Sequence, residues 1–283
     1  MAGQKGPDAV STSPSTIIVR SEPGDAVHLS DFRPVECASL VRIGGPNDGG
    51  YVVPLDAVTA ADALLSFGLA HNWTFERDFG RHNPRALIHC YDHTVSARTA
   101  VEHSIGQLFR FLARWNVNHL RQVFTWLDYP LFFRGRNVHF KQRIWLDRQY
   151  DSATVDDAFA RLPEGAQVFA KVDVEGSEYR IMDDLLRHAP NIVALAIEFH
   201  DVDILPERFN ALIEAIKRDF HIVHFHANNM GGLTPFHFPG APEITFLNKR
   251  FFNAAPLPSQ KTYPIAGLDA PNQPRFPDYK YEF

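Results

Sequence analysis

Only two cysteines, Cys37 and Cys90, occur in the 283-residue chain. Cys90 lies in an apolar, strand-like run, so neither a disulfide framework nor a cysteine zinc site is indicated, and thiol redox chemistry is set aside. No stretch approaches the roughly 18–20 consecutive apolar residues that a membrane-spanning helix needs. The opening residues Met1–Thr16 lack the charged start and apolar middle of a signal peptide. These absences predict a cytoplasmic protein without a membrane span. There is no long basic run, and the net charge of −5 argues against a nucleic-acid partner held by phosphate neutralisation. Internal repeats are absent, and so is the GxGxxG fingerprint that opens most nicotinamide- and flavin-binding sheets.

What is present suffices for a core of ordinary size: 45% of residues are hydrophobic, 23 of them phenylalanine. The Gly-, Ser- and Pro-rich leader, residues 1–16, is expected to be disordered, residues 17–253 to form one domain, and the proline-rich residues 254–283 to wrap it as an extended tail. Strand-like runs fall at Ala63–Phe67, Ala86–Tyr91, Asn137–Trp145, Val168–Val172, Ile192–Phe199, Phe220–Phe225 and Glu243–Leu247. Helical patterns alternate with them at Thr94–Phe111, Val155–Arg161, Glu178–His188 and Pro206–Asp219. The alternation predicts an α/β fold, a mostly parallel seven-stranded sheet with helices on both faces. Residues Ala227–Pro242 carry no helical pattern, so the last strand is expected to run antiparallel. Leu108–Arg136 is too long for a simple connection and reads as a helical insertion whose clustered aromatics pack locally or make a homo-oligomer contact.

The stretch Gln167–Ile181, QVFAKVDVEGSEYRI, is the most informative. A strand buried on both faces ends abruptly in Asp173, Glu175 and Gly176, and ligands of open α/β sheets bind beyond the carboxyl ends of such strands. Ser177 is a candidate N-cap for the helix that follows. Gly68 at the first strand end would let a ligand approach the backbone, and Asp92 at the second is placed to accept hydrogen bonds from a ribose. A hairpin over Arg42–Val53 turns at Asn47-Asp48-Gly49-Gly50 and could set Asp48 or Tyr51 over the pocket. Period two puts Glu198 and His200 on one face beyond the fifth strand, and His226 and Asn228 follow the sixth. Such a rim could deprotonate a hydroxyl, with an imidazole as base, or bind Mg²⁺ or Mn²⁺ through Asp173, Glu198, His200 and His226. His139, His221, His224 and His237 lack comparable company and are read as structural.

With these residues assembled, the chain resembles the FkbM-type S-adenosylmethionine-dependent methyltransferases. The resemblance rests on NDGGYVV (Asn47–Val53), LLSFGLAHNWTFE (Leu64–Glu76), HCYDHT (His89–Thr94), KVDVEGSEYRIM (Lys171–Met182) and IEFHDVD (Ile197–Asp203), and covers roughly residues 40–250. It implies a class I methyltransferase (Rossmann-like) fold, with S-adenosylmethionine over the first two strands, held by Gly68, Asn72, Glu76, Asp92, His93, Asp48 and Tyr51. It places the acceptor at strands four to six, with Glu198 and Asn228 binding it. The implied reaction is O-methylation of a sugar hydroxyl on a nucleotide sugar or surface polysaccharide, with His200 the preferred base and Asp173, Glu175 and His226 the other catalytic candidates. The first strand departs from the family by its sparser glycines, Ser66-Phe67-Gly68-Leu69-Ala70. A nicotinamide-dependent sugar oxidoreductase and a catalytically inert glycan-binding module are the competing readings.

Overall fold

The computed structural model describes residues 17–114 and 125–283. The leader, residues 1–16, and the centre of the proposed insertion lie outside the described residues. In chain order the hairpin strands are β1 (Leu40–Gly44) and β2 (Gly50–Pro54), followed by β3 (Ala63–Phe67), α1 (Thr74–His82), β4 (Leu87–Tyr91), α2 (Ala97–Arg114), α3 (Thr125–Phe132) and β5 (Asn137–Phe140). The second half holds α4 (Val155–Ala160), β6 (Val168–Val172), α5 (Glu178–Arg187), β7 (Ile192–Glu198), α6 (Pro206–Ile216), β8 (Phe220–Ala227) and β9 (Pro242–Asn248).

Seven strands form one sheet in the order β8-β9-β7-β6-β3-β4-β5, with β9 antiparallel to both neighbours and the other pairs parallel. Each residue of β3 and β6 is buried, because helices or the hairpin cover both faces. Period two divides them: Leu65, Phe67, Val168, Ala170 and Val172 enter one core with α4, α5 and α6, while Leu64 and Phe169 enter the other with α1 and the hairpin. Helix α6 shows why these segments are helical: Pro206 pre-sets its first turn, and Phe209, Leu212, Ile213 and Ile216 line its buried face. No helix among the described residues is long and apolar enough to cross a membrane.

The run Asn137–Trp145 is not one strand. Pairing with β4 stops at Phe140, and Arg143–Ile144 pairs instead with Ser152–Ala153, redirecting the chain over the sheet's carboxyl rim. The C-terminal tail packs into the core: Tyr263, Tyr279 and Tyr281 are buried, and Tyr279–Tyr281 pairs in parallel with Ile17–Val19.

Candidate functional site

β3 and β6 run parallel, but the order of winding reverses between them, and a crevice opens where neighbouring connections leave such a switch point in opposite directions. A cavity of about 420 Å³ lies there, walled by the segments that follow β3, β4, β5 and β6. Gly68 turns out of β3 at φ +85°, and a Cβ there would run into the carbonyl oxygen of Asp173. Only glycine permits this approach.

Asp92 lies at the end of β4 and clamps the same loop. Its Oδ2 accepts from the backbone N–H of Leu69 (3.0 Å) and Ala70 (2.9 Å), and its Oδ1 from Thr94 N (2.7 Å) and Oγ1 (2.6 Å). Burial acts to raise its pKa, but the bonds from Thr94, Leu69 and Ala70 outweigh burial and hold the carboxyl below the ordinary aspartate range. Asp92 is therefore an anion that shapes the glycine turn as well as a wall of the cavity. His93 lies beside it on the wall, exposed.

From β6, Asp173 and Glu175 line the same cavity as Gly68. Asp173 Oδ2 accepts from Tyr51 Oη (3.4 Å) and Lys171 Nζ (3.4 Å), and the ammonium also donates to the Gly68 carbonyl (3.1 Å). Burial works against the Lys171 charge, yet Asp173, Glu76 and Glu198 together raise its pKa. Tyr51 also donates to Glu198 Oε2 (3.3 Å), and its phenol is pushed well up by burial and by the adjacent Asp173 and Glu198. Glu198, whose other oxygen accepts from Asn228 Nδ2 (3.1 Å), is raised well above the carboxylate range by burial and by Glu243 and Asp173.

His200 sits within this acidic group. Its Nδ1 meets Glu178 Oε1 at 3.1 Å, while Nε2 lies 3.4 Å from Glu175 Oε2 and 3.9 Å from Glu198 Oε1. Burial alone would lower its pKa, but Glu178, Glu198 and Glu175 raise it to about 9. The surrounding carboxylates favour the imidazolium, which has no free lone pair, so these surroundings work against the free base expected at His200. One ligand atom each from Asp173, Glu175 and His200 lie within 4.8 Å of one another.

Other expected site residues lie elsewhere. His226 is buried between Glu243 (Nδ1–Oε2, 3.1 Å) and Asp278 of the tail (Nε2–Oδ1, 3.2 Å), so it neither joins His200 nor faces the cavity. Glu76 is fully buried in α1 and accepts from Ser66 Oγ (2.6 Å), beneath the sheet surface rather than on the cavity wall. Asn72 is exposed and turned away: its Oδ1 accepts from Thr74 N (3.2 Å) and its Nδ2 donates to the Asp48 carbonyl (3.3 Å). Asp48 thus meets Asn72 through its carbonyl and Asn272 of the tail through its Oδ1 (3.5 Å), and Tyr51 reaches the acidic group from the hairpin.

Lys171 and Glu178 belong to the site although the sequence pattern assigns them no role. A lysine inside the run VFAKV is the available signal for the first. Glu178 has the look of an ordinary first-turn acid, yet its Oε1 accepts from Val174 N (3.1 Å) and Gly176 N (3.3 Å), closing the turn in place of Ser177, whose side chain makes no cap bond.

No protein-family model matches the chain, and no curated protein does. Among solved structures, precorrin-6y C5,15-methyltransferase from Geobacter metallireducens GS-15 aligns over 68% of this chain and 84% of its own, at 13% identity and a TM-score of 0.33. The mitomycin 7-O-methyltransferase MmcR aligns over 69% of this chain and 53% of its own, at 10% identity and a TM-score of 0.30. With scores this low, function has to be argued from the site itself.

Proposed function

We propose that this protein is an S-adenosylmethionine-dependent O-methyltransferase of the class I, FkbM-like type, acting on a sugar hydroxyl of a nucleotide sugar or surface polysaccharide. The observation that carries the reading is the joint at Gly68, where a glycine turn clamped by Asp92 meets the β6 end bearing Asp173 and Glu175. Backbone can approach a ligand there, an anionic carboxylate lies at the second strand end, and acids flank the next wall. These features suit a ribose and a cationic sulfonium. A dinucleotide-binding sheet of order 3-2-1-4-5-6 has no antiparallel strand between its fifth and sixth, which together with the missing GxGxxG disfavours the oxidoreductase reading.

Gly68 to Ala70, Asp92 and His93 would hold the donor. S-adenosylmethionine supplies an electrophilic methyl group on a sulfonium that leaves as a neutral thioether. The chain has to hold the acceptor oxygen in line and take its proton, because a sugar hydroxyl is a poor nucleophile. Asp173 is suited to accept that proton, since Tyr51 and Lys171 both engage its Oδ2 and so fix the carboxylate on the cavity wall. His200, cationic and held by Glu178, orients Glu175 and Glu198 for hydrogen bonds to the acceptor, assisted by Asn228.

A second version replaces the His200 proton with Mg²⁺ or Mn²⁺ held by Asp173, Glu175 and His200, and is favoured by the proximity of their ligand atoms. Transfer of labelled methyl to nucleotide sugars and glycans tests both. Asp173→Asn should lower turnover by roughly 10²- to 10⁴-fold in either version. Turnover that survives chelator supports Asp173 as a free base, whereas loss on EDTA treatment and recovery with Mn²⁺, together with a bound-Mn²⁺ resonance signal, supports the metal. An Asp173→Asn enzyme of wild-type activity would defeat both.

A further inference from the structure

The cavity wall that follows β5 is built differently from the acidic inner wall. Arg143 and Trp145 are fixed by a short ladder, with Arg143 N donating to the Asp151 carbonyl (2.9 Å) and Trp145 N to the Ala153 carbonyl (2.9 Å). Both residues line the cavity. The guanidinium of Arg143 stacks over the Trp145 ring at 4.9 Å, and that of Arg180, from the first turn of α5, stacks over the same ring at 4.9 Å. Stacking occupies the face of a guanidinium and leaves its edge N–H groups to donate.

Acids near those donors are few. The nearest carboxylate oxygen to Arg143, on Asp151, is 4.0 Å away, Arg143 Nε is buried without a partner, and no ion pair reaches Arg180 among the described residues. Arg187, on the same helix as Arg180, does find an acid, Asp156 (3.0 Å), and Arg208 finds Asp183 (2.7 Å). Arg143, on the cavity wall with a buried and unpartnered Nε, and the exposed Arg180 over the same indole offer N–H donors to an oxyanion.

We infer that the acceptor carries an oxyanion, a phosphoryl group or a carboxylate, that docks on Arg143 and Arg180. The inference rests on the methyltransferase reading only for calling the bound molecule an acceptor; the anion site stands on its own geometry. It narrows the substrate class to charged sugars, either phosphorylated or uronic.

Calorimetric titration of the full chain with sodium pyrophosphate and, separately, sodium glucuronate, at fixed ionic strength, tests it. Saturable binding of pyrophosphate assigns a phosphoryl group, and saturable binding of glucuronate assigns a carboxylate. Arg143→Gln and Arg180→Gln should each weaken that binding roughly tenfold, while Arg98→Gln on the exposed face of α2 should leave it unchanged. Should the glutamine variants unfold, Arg143→Lys and Arg180→Lys keep the charge but not the stacked fork, and should still bind more weakly than wild type. Failure of both anions to saturate, or binding untouched by substitution of both arginines, would overturn the site. A parallel S-adenosylmethionine titration of the wild-type chain separates the outcomes: donor binding without anion binding defeats this inference alone, and anion binding without donor binding defeats the methyltransferase reading alone.

Discussion

Gly68 and Asp92 show how much of the site depends on single residues. Gly68→Ala would force a Cβ toward the Asp173 carbonyl and hold a non-glycine residue at φ +85°, so a loss of roughly 3 kcal/mol is expected from urea unfolding. An unchanged midpoint would show that β3 and β6 do not meet as closely as described. Asp92→Ala removes both the loop clamp and the proposed ribose acceptor and should weaken S-adenosylmethionine binding by about 1–3 kcal/mol, read by calorimetry. Wild-type affinity in a folded variant would take Asp92 out of the site. The placement of Asp173 and Glu175 was legible because acids that end a doubly buried strand have one rim on which to emerge. Glu76 and Asn72 were not legible: motif proximity to Gly68 did not reveal that Ser66 would take the first inside or that capping Thr74 would turn the second away.

At the scale of elements, the joint between the tail and the sheet edge is electrostatic as well as apolar. Antiparallel register sets Glu198 opposite Glu243 and Glu243 opposite His226, and the tail adds Asp278 to His226 and Asn272 to Glu243 (2.6 Å). The sequence pattern set His226 on the rim beyond the sixth strand, whereas it lies within β8, and no local pattern could show a partner 52 residues later. Burial would lower the His226 pKa, yet Asp278 and Glu243 raise it to about 10. An unfolded histidine titrates at about 6.5, so this pairing contributes fully below that pH, loses its contribution as pH rises, and contributes nothing above about 10. His226→Gln should therefore cost about 3 kcal/mol at pH 6, and the difference from wild type in urea unfolding should shrink steadily toward pH 10. A difference that stays constant across that range would mean that the imidazole is not charged in the fold.

For the whole molecule, alternating strands and helices with near-continuous apolar strands were enough to anticipate the mostly parallel sheet and its antiparallel last strand. The break after Phe140 was not anticipated, because Lys141 to Trp145 continues a plausible strand pattern while the chain is in fact turned to build the arginine-bearing wall. That sheet puts the cavity at the reversal between β3 and β6, with the glycine turn on one side and Asp173 on the other. The central claim is that this cavity takes a methyl donor. Calorimetric titration of the full chain with S-adenosylmethionine, with NAD as the rival ligand, tests it most directly. The account predicts saturable one-to-one binding of S-adenosylmethionine and none of NAD; saturable NAD binding, or no S-adenosylmethionine binding to the folded protein, would contradict it.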